Sequence, residues 1–251
     1  MAPEAGRRDW PADVVHAAVA ALRPLANPVR AVAMARYQRD QFAFLGIGTP
    51  ARTAALRVAW RELPTPSEPE LGRAVEALWA LDHREYQYAA CDLLGRFVRP
   101  STGLTAAAGL LAPRATARAT AHATGPGVVE RLITTRSWWD SVDALRSVAV
   151  GPLVAANPQL VAVTDRWIGA QDRWLVRSAI IHQLGYRERT DAERLFRYCA
   201  ERAGDREFFV AKAIGWALRT YARVDPDAVR AFVAASPGLT ALARREALKH
   251  L

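Results

Sequence analysis

Helix starts recur along this chain at intervals so short that only short helices laid one after another can satisfy them. Thr190-Asp-Ala-Glu193 has the form of a capping box, Asp205 precedes a helix expected from about Arg206 to Arg223, and Asp225-Pro226 joins an N-cap to a proline at the first helical position. Between such starts Ala, Leu, Arg and Glu dominate, while alternating Val/Ile/Thr runs bounded by tight turns are scarce. No convincing strand is expected, and the chain reads as all-α. Leu71 to Leu81 followed by His83 to Val98, and Trp174 to Leu184 followed by Thr190 to Ala203, read as helix pairs joined by brief turns.

Trp174-Leu-Val-Arg177 and Trp216-Ala-Leu-Arg219 share a W-x-x-R pattern, spaced by about one HEAT-type helical repeat. Each helix pair can bury its apolar stripe against the next, which favours an α-solenoid of HEAT-like antiparallel pairs over a closed bundle. Such arrays extend in one dimension, so 251 residues are compatible with a single domain spanning 1–251. Residues 100–127, rich in Ala, Thr, Gly, Pro and Arg and lacking good caps, read as a loop or partly helical insertion. Its Arg114 and Arg118 are within the compass of a nucleic-acid backbone, although a solvated linker is the simpler reading.

With 51% apolar and 24% charged residues the chain has ample material for a core. A net charge of +9 makes polyanions the natural partner class, because a basic surface gains by releasing counterions from nucleic acid. Charge alone leaves open a protein that is merely basic. Cys91 and Cys199 have no metal-ligand spacing and no disulfide framework around them, which fits a reducing cytoplasm. No apolar run approaches a membrane span, and no secretory leader is read at the N-terminus.

Two segments place unusual groups off the core stripe. In a helix beginning near Ser137, at about 100° per residue, Trp138, Val142, Leu145 and Ala149 share one apolar face. Trp139 lies on another face, one turn before Asp143 and beside Arg146, so an aromatic ring and a carboxylate share a surface away from the core. Packing explains the same pattern if a neighbouring helix caps Trp139 and an arginine pairs with Asp143. In the segment from Phe208 to Arg219, Val210, Ile214, Leu218 and Tyr221 form the apolar stripe, with Lys212, Trp216 and Arg219 opposite. A tryptophan flanked by cations suits a phosphate backbone, and cation–π packing at a helix seam fits equally.

Other catalytic templates are missing: no Gly-rich phosphate loop, no H-E-x-x-H, no clustered Cys and His, no nucleophile elbow. No metal and no organic cofactor is implied. Hydrolysis of an ordinary O-glycoside uses two carboxyl groups, because a poor leaving group must be protonated. A purine alkylated at N3 or N7 already carries positive charge and leaves as a neutral base. What remains is to stabilise an oxocarbenium-like sugar and orient water, for which an ionised Asp143 and electron-rich indoles are suitable.

Five further stretches carry a resemblance. Arg36-Tyr-Gln-Arg-Asp-Gln-Phe-Ala-Phe-Leu-Gly-Ile-Gly-Thr-Pro50, Arg84-Glu-Tyr-Gln-Tyr88, Ile133-Thr-Thr-Arg-Ser-Trp-Trp-Asp-Ser-Val-Asp143, Arg177-Ser-Ala-Ile-Ile-His-Gln-Leu184 and Glu207-Phe-Phe-Val-Ala-Lys-Ala-Ile-Gly-Trp-Ala-Leu-Arg219 resemble the AlkD family of alkylpurine DNA glycosylases. The ending Arg244-Arg-Glu-Ala-Leu-Lys-His250 is similar too, and the matches run in order from about Asn27 to the C-terminus. The resemblance implies a HEAT-like superhelix whose concave basic face binds duplex DNA, and release of N3- and N7-alkylated purines without base flipping, leaving an abasic site. It implies that Trp139, Asp143 and Trp216 border the lesion, with Asp143 placing the water and the indoles contacting the sugar. Tyr37, Arg177 and Arg219 match positions that contact DNA, and Lys212 joins them through its place beside Trp216.

The 100–127 insertion is extra relative to the family pattern. No matched Lys nucleophile is apparent, although Lys212 lies close enough to keep a Schiff-base lyase step open. A solenoid gripping one duplex needs no second copy, so a cytoplasmic, nucleoid-associated monomer is expected. Two rivals remain, a non-catalytic HEAT protein binding damaged or branched DNA and a protein-interaction solenoid.

Overall fold

The computed structural model describes residues 9–99, 102, 107–112, 114–115 and 124–251. These residues are all-α apart from one pair of two-residue strands, and they divide into two units, Met1–Leu110 and Leu111–Leu251, each built of short helices packed on one another. Arg118 lies outside the described residues, as does the side chain of Arg114.

The first unit contains α1 (Trp10–Leu22), α2 (Pro28–Tyr37), α3 (Thr49–Ala59), α4 (Glu68–Ala80) and α5 (Arg84–Phe97). Val14, Ala18 and Leu22 recur one turn apart on α1 and are fully buried where that helix packs on α3 and α4. Ser67 starts α4 with a complete capping box to Glu70. The expected pair Leu71–Leu81 and His83–Val98 corresponds to α4 and α5, which pack on one another.

Two of the quoted motifs meet in this unit. Glu85, fully buried at the start of α5, accepts hydrogen bonds from the backbone N–H groups of Leu45, Gly46 and Ile47 at 2.8, 2.8 and 3.0 Å. A carboxylate with three amide donors needs no counter-ion to be accommodated inside a protein. Gly46 has φ +87°, and a Cβ there would fall 2.1 Å from the Asn27 carbonyl oxygen, so only glycine fits.

In the second unit the helices are preceded by a two-residue antiparallel pair, β1 (Arg114–Ala115) with β2 (Thr124–Gly125). Pairing this short has no alternating sequence pattern from which to be read. Then follow α6 (Val128–Thr134), α7 (Trp139–Leu145), a π turn (Arg146–Val150), α8 (Gly151–Ala156), α9 (Val161–Ile168), α10 (Arg173–Ile181), α11 (Ala192–Glu201), α12 (Phe208–Tyr221), α13 (Pro226–Ala235) and α14 (Ala241–Ala247). Within it α7 packs on α10, α10 on α12 and α12 on α14.

Long-range hydrogen bonds recur at nearly constant separation. Arg177 reaches back 34 residues to Asp143, Tyr198 34 to Thr164, Arg202 34 to Ile168, and Tyr186 35 to Gly151. Equal steps of this kind are the register of like units stacked on their neighbours. α10 sits centrally, with every residue from Trp174 to Ile181 buried, and each large aliphatic contributes about 2 kcal/mol.

Details of several helix starts differ from expectation. Trp138 is the N-cap of α7 in extended conformation (φ −157°), not a member of the helix, so the helical rotation does not apply to it. Its ring packs against Phe209 and Trp174 at 5.3 and 5.9 Å, while Val142, Leu145 and Ala149 do face the core. Asp191, not Thr190, caps α11 by accepting from the Arg194 N–H at 2.9 Å, while the Thr190 hydroxyl donates back to the Arg187 carbonyl oxygen. Asp205 instead accepts from the N–H of Glu207, the N-cap of α12, and Asp225 caps α13 as expected. The W-x-x-R echo joins unlike positions: Trp174 stands at the start of α10 and is core, whereas Trp216 stands beyond the middle of α12 and is half-buried.

His182, buried just past α10, has its Nδ1 2.6 Å from the Ala179 carbonyl oxygen, and burial pushes its pKa down to about 4. Protonation is therefore easier in the unfolded chain, where the group titrates near 6.5. Its contribution is intact above that value and is lost as the pH falls toward 4, by about 3 kcal/mol in total. Urea unfolding at pH 7 and pH 4.5 should show that loss, and His182→Gln should remove most of the difference; an unchanged difference would exclude His182 as its source.

Candidate functional site

Four helices of the second unit add to one constellation: Trp139 and Asp143 from α7, Arg177 from α10, Lys212, Trp216 and Arg219 from α12, and Glu246 from α14. Trp139 and Asp143 are one turn apart, so their spacing is set by the helix alone. Arg177 arrives from the neighbouring helix. Its Nε donates to Asp143 Oδ1 and its Nη2 to Oδ2, both at 2.8 Å, and its Nη1 donates to the Phe209 carbonyl oxygen at 2.8 Å. The side chains are 7% and 19% exposed for Arg177 and Asp143.

A planar fork bound to both carboxylate oxygens fixes the carboxylate plane as well as its position. The same guanidinium lies 5.8 Å from the centroid of the Trp216 ring, which ties the half-buried indole to the ion pair. On the next turns of α12, Lys212 Nζ meets Glu246 Oε1 at 3.1 Å and Arg219 Nη1 meets Glu246 Oε2 at 2.8 Å. Hydrogen bonds from Arg219 and Lys212 hold the Glu246 carboxyl below the usual carboxylate range. That reach depends on Gly215, where a Cβ would fall 2.3 Å from Glu246 Cβ, so α14 can approach α12 closely only past a glycine.

Five of the residues singled out for catalysis or phosphate contact thus gather in this unit around Asp143 or Glu246, with Trp139 beside them on α7. Arg177, expected on DNA, has its guanidinium turned to Asp143. Lys212 and Arg219 share one carboxylate that sequence reasoning did not single out, although Glu246 stands within the matched C-terminal block and Gly215 in mid-helix signals a close neighbour. Tyr37 is the last residue of α2 in the first unit and is 73% exposed. The groove of about 870 Å³ in that unit, lined by Val15, His16, Val19, Arg23 and Arg73 among others, contains none of the residues singled out.

Fold and site together define a class: an all-α protein whose second unit holds a carboxylate gripped by an arginine fork, with a tryptophan one turn before it and another against that arginine. The DNA alkylation repair enzyme family matches residues 18–251, and the chain belongs to that family. Among solved structures it is similar to "Predicted DNA alkylation repair enzyme from Enterococcus faecalis", at 31% identity, covering 90% of this chain and 96% of that one with a TM-score of 0.74. No curated protein matches the sequence.

Proposed function

We propose that the protein is a monofunctional DNA glycosylase that hydrolyses the N-glycosidic bond of N3- and N7-alkylated purines in duplex DNA, without base flipping, and leaves an abasic site. Membership of a DNA alkylation repair family supports DNA as the substrate class. The observation that carries the reading is the carboxylate of Asp143, held in plane by the Arg177 fork beside the Trp216 ring. Each carboxylate oxygen has about two lone-pair sites, and the fork uses one on each, which leaves sites to accept a hydrogen bond from water.

Water oriented in this way attacks the anomeric carbon as the C1′–N bond breaks. The bonding pair leaves with the base and cancels its positive charge, so no acid is needed to protonate it. The water proton passes to Asp143 or to solvent. Negative charge on Asp143 and the indole faces of Trp139 and Trp216 favour the cationic sugar. Lys212 has its Nζ turned to Glu246, which disfavours its use as a Schiff-base nucleophile. Arg219, Lys212 and the exposed Tyr37 are assigned to the DNA backbone, in a complex that needs one copy of the chain and neither metal nor cofactor.

Incubation with duplexes carrying N7-methylguanine or N3-methyladenine should release the free base and leave alkali-labile abasic sites. DNA binding without release would overturn the enzyme reading in favour of a non-catalytic binder. Failure to bind DNA, with no dependence on salt, would leave a protein-interaction solenoid.

A further inference from the structure

α7, α10 and α12, with the turn that follows α7, bring four cations to the site, and three already have an anionic partner within the protein. Arg177 is on Asp143 and the Phe209 carbonyl, and Lys212 and Arg219 are on Glu246. The fourth is Arg146, first residue of the π turn that follows α7. Its guanidinium makes no hydrogen bond or ion pair among the described residues, and its Nε is sealed from solvent without a partner. The charges that act on it are Asp143, which favours the cation, and Arg177, which opposes it.

This is a costly way to place an arginine. A buried donor without an acceptor destabilises the fold, and burial together with the like charge of Arg177 pushes the Arg146 pKa below its ordinary value. π turns inside α-helices occur often at functional sites, where they re-aim a side chain. Strain retained beside a candidate catalytic carboxylate calls for a ligand that relieves it. The ligand must be an anion, must suit a planar fork of donors, and must lie next to the group that attends the sugar.

We propose that Arg146 binds a backbone phosphate of the DNA strand, adjacent to the nucleotide whose sugar faces Asp143. The assignment rests on the glycosylase reading for its substrate. The phosphate supplies the missing counter-charge, and Arg146 then fixes the strand along its axis relative to Asp143, so that the anomeric carbon and the oriented water stay in line. Arg177 remains free to hold the carboxylate. The two arginines thereby divide the work, one gripping the enzyme's own anion and the other the substrate's.

The test uses Arg146→Met, which keeps an apolar stem of similar length, and Arg146→Lys, which keeps the charge. Binding to undamaged duplex is measured against salt for the native chain and both variants, with thermal melting alongside. Arg146→Met should melt no lower than the native chain, because no native hydrogen bond is removed, yet bind about fivefold more weakly at ~0.15 M salt with a log–log slope smaller by about 1. Arg146→Lys should restore the slope. An unchanged slope in Arg146→Met, or a lower melting temperature with native binding, would overturn the assignment and make Arg146 a packing residue. If the native chain binds no DNA the glycosylase reading itself fails; if it binds DNA and releases base while the slope is unmoved, only the role of Arg146 falls.

Discussion

Asp143→Asn is expected to slow release of N7-methylguanine by about 10²–10³-fold or more while changing affinity for the same duplex by no more than a fewfold. The substitution keeps the shape of the side chain and one oxygen for the Arg177 fork. It removes the negative charge that opposes the developing oxocarbenium ion and replaces an acceptor by an amide that donates. A weaker acceptor also holds water in a different orientation. Because the Arg177 guanidinium then loses half of its charge-assisted pair in a mostly buried setting, some loss of fold stability accompanies the change, about 2 kcal/mol. Single-turnover release is therefore compared well below the melting temperature, with circular dichroism confirming helix content. Unaltered turnover would mean that another group orients the water and that Asp143 is held for packing alone.

How much of this was legible in advance depends on the range over which each feature is encoded. Helix existence is local, and Asp225-Pro226, the apolar stripe Val210–Ile214–Leu218, and the α4/α5 and α10/α11 pairs follow from capping and periodicity within a few turns. Helix starts are displaced by one to two residues where neighbouring polar groups take different partners, as with Thr190, whose hydroxyl donates to the Arg187 carbonyl, and Asp191, which takes the cap. Trp138 moved furthest from expectation because a single residue outside the helix escapes the rotation rule.

The site is harder, because its bonds span about 27 to 34 residues and no spacing rule pairs α7 with α10 or α12 with α14. Sequence could place Trp139 and Asp143 on one helix and Lys212, Trp216 and Arg219 on another. It left open whether Asp143 would be free or ion-paired, and the structure answers with Arg177. The packing account of Asp143 and a functional one are not exclusive here, since a carboxylate must be fixed by something to orient water at all. Glu246 escaped notice because a lone acid in a basic block has no signature, whereas Gly215, which admits it, has a visible cost in mid-helix.

Replacing Arg177 separates an arginine that serves the enzyme's own carboxylate from one that serves DNA. If its fork belongs to Asp143, Arg177→Ala leaves a mostly buried carboxylate without its partner and removes the Nη1 bond to the Phe209 carbonyl. Stability should then fall by about 3–5 kcal/mol, and turnover by about as much as in Asp143→Asn. A phosphate contact predicts otherwise: stability held, and the salt slope of binding reduced by about 1. Arg177→Lys sharpens the distinction, for a lysine keeps the charge but cannot grip both oxygens at once, so the slope should stay native while release slows by at least about tenfold through loss of orientation. The double variant Arg177→Ala with Asp143→Asn completes the cycle. Two residues acting as one unit lose little more together than either loses alone, so its release rate should lie close to that of the single variants. Additive losses would show instead that Arg177 and Asp143 act on the substrate separately, and the ion pair seen between them would then be a resting arrangement that DNA breaks.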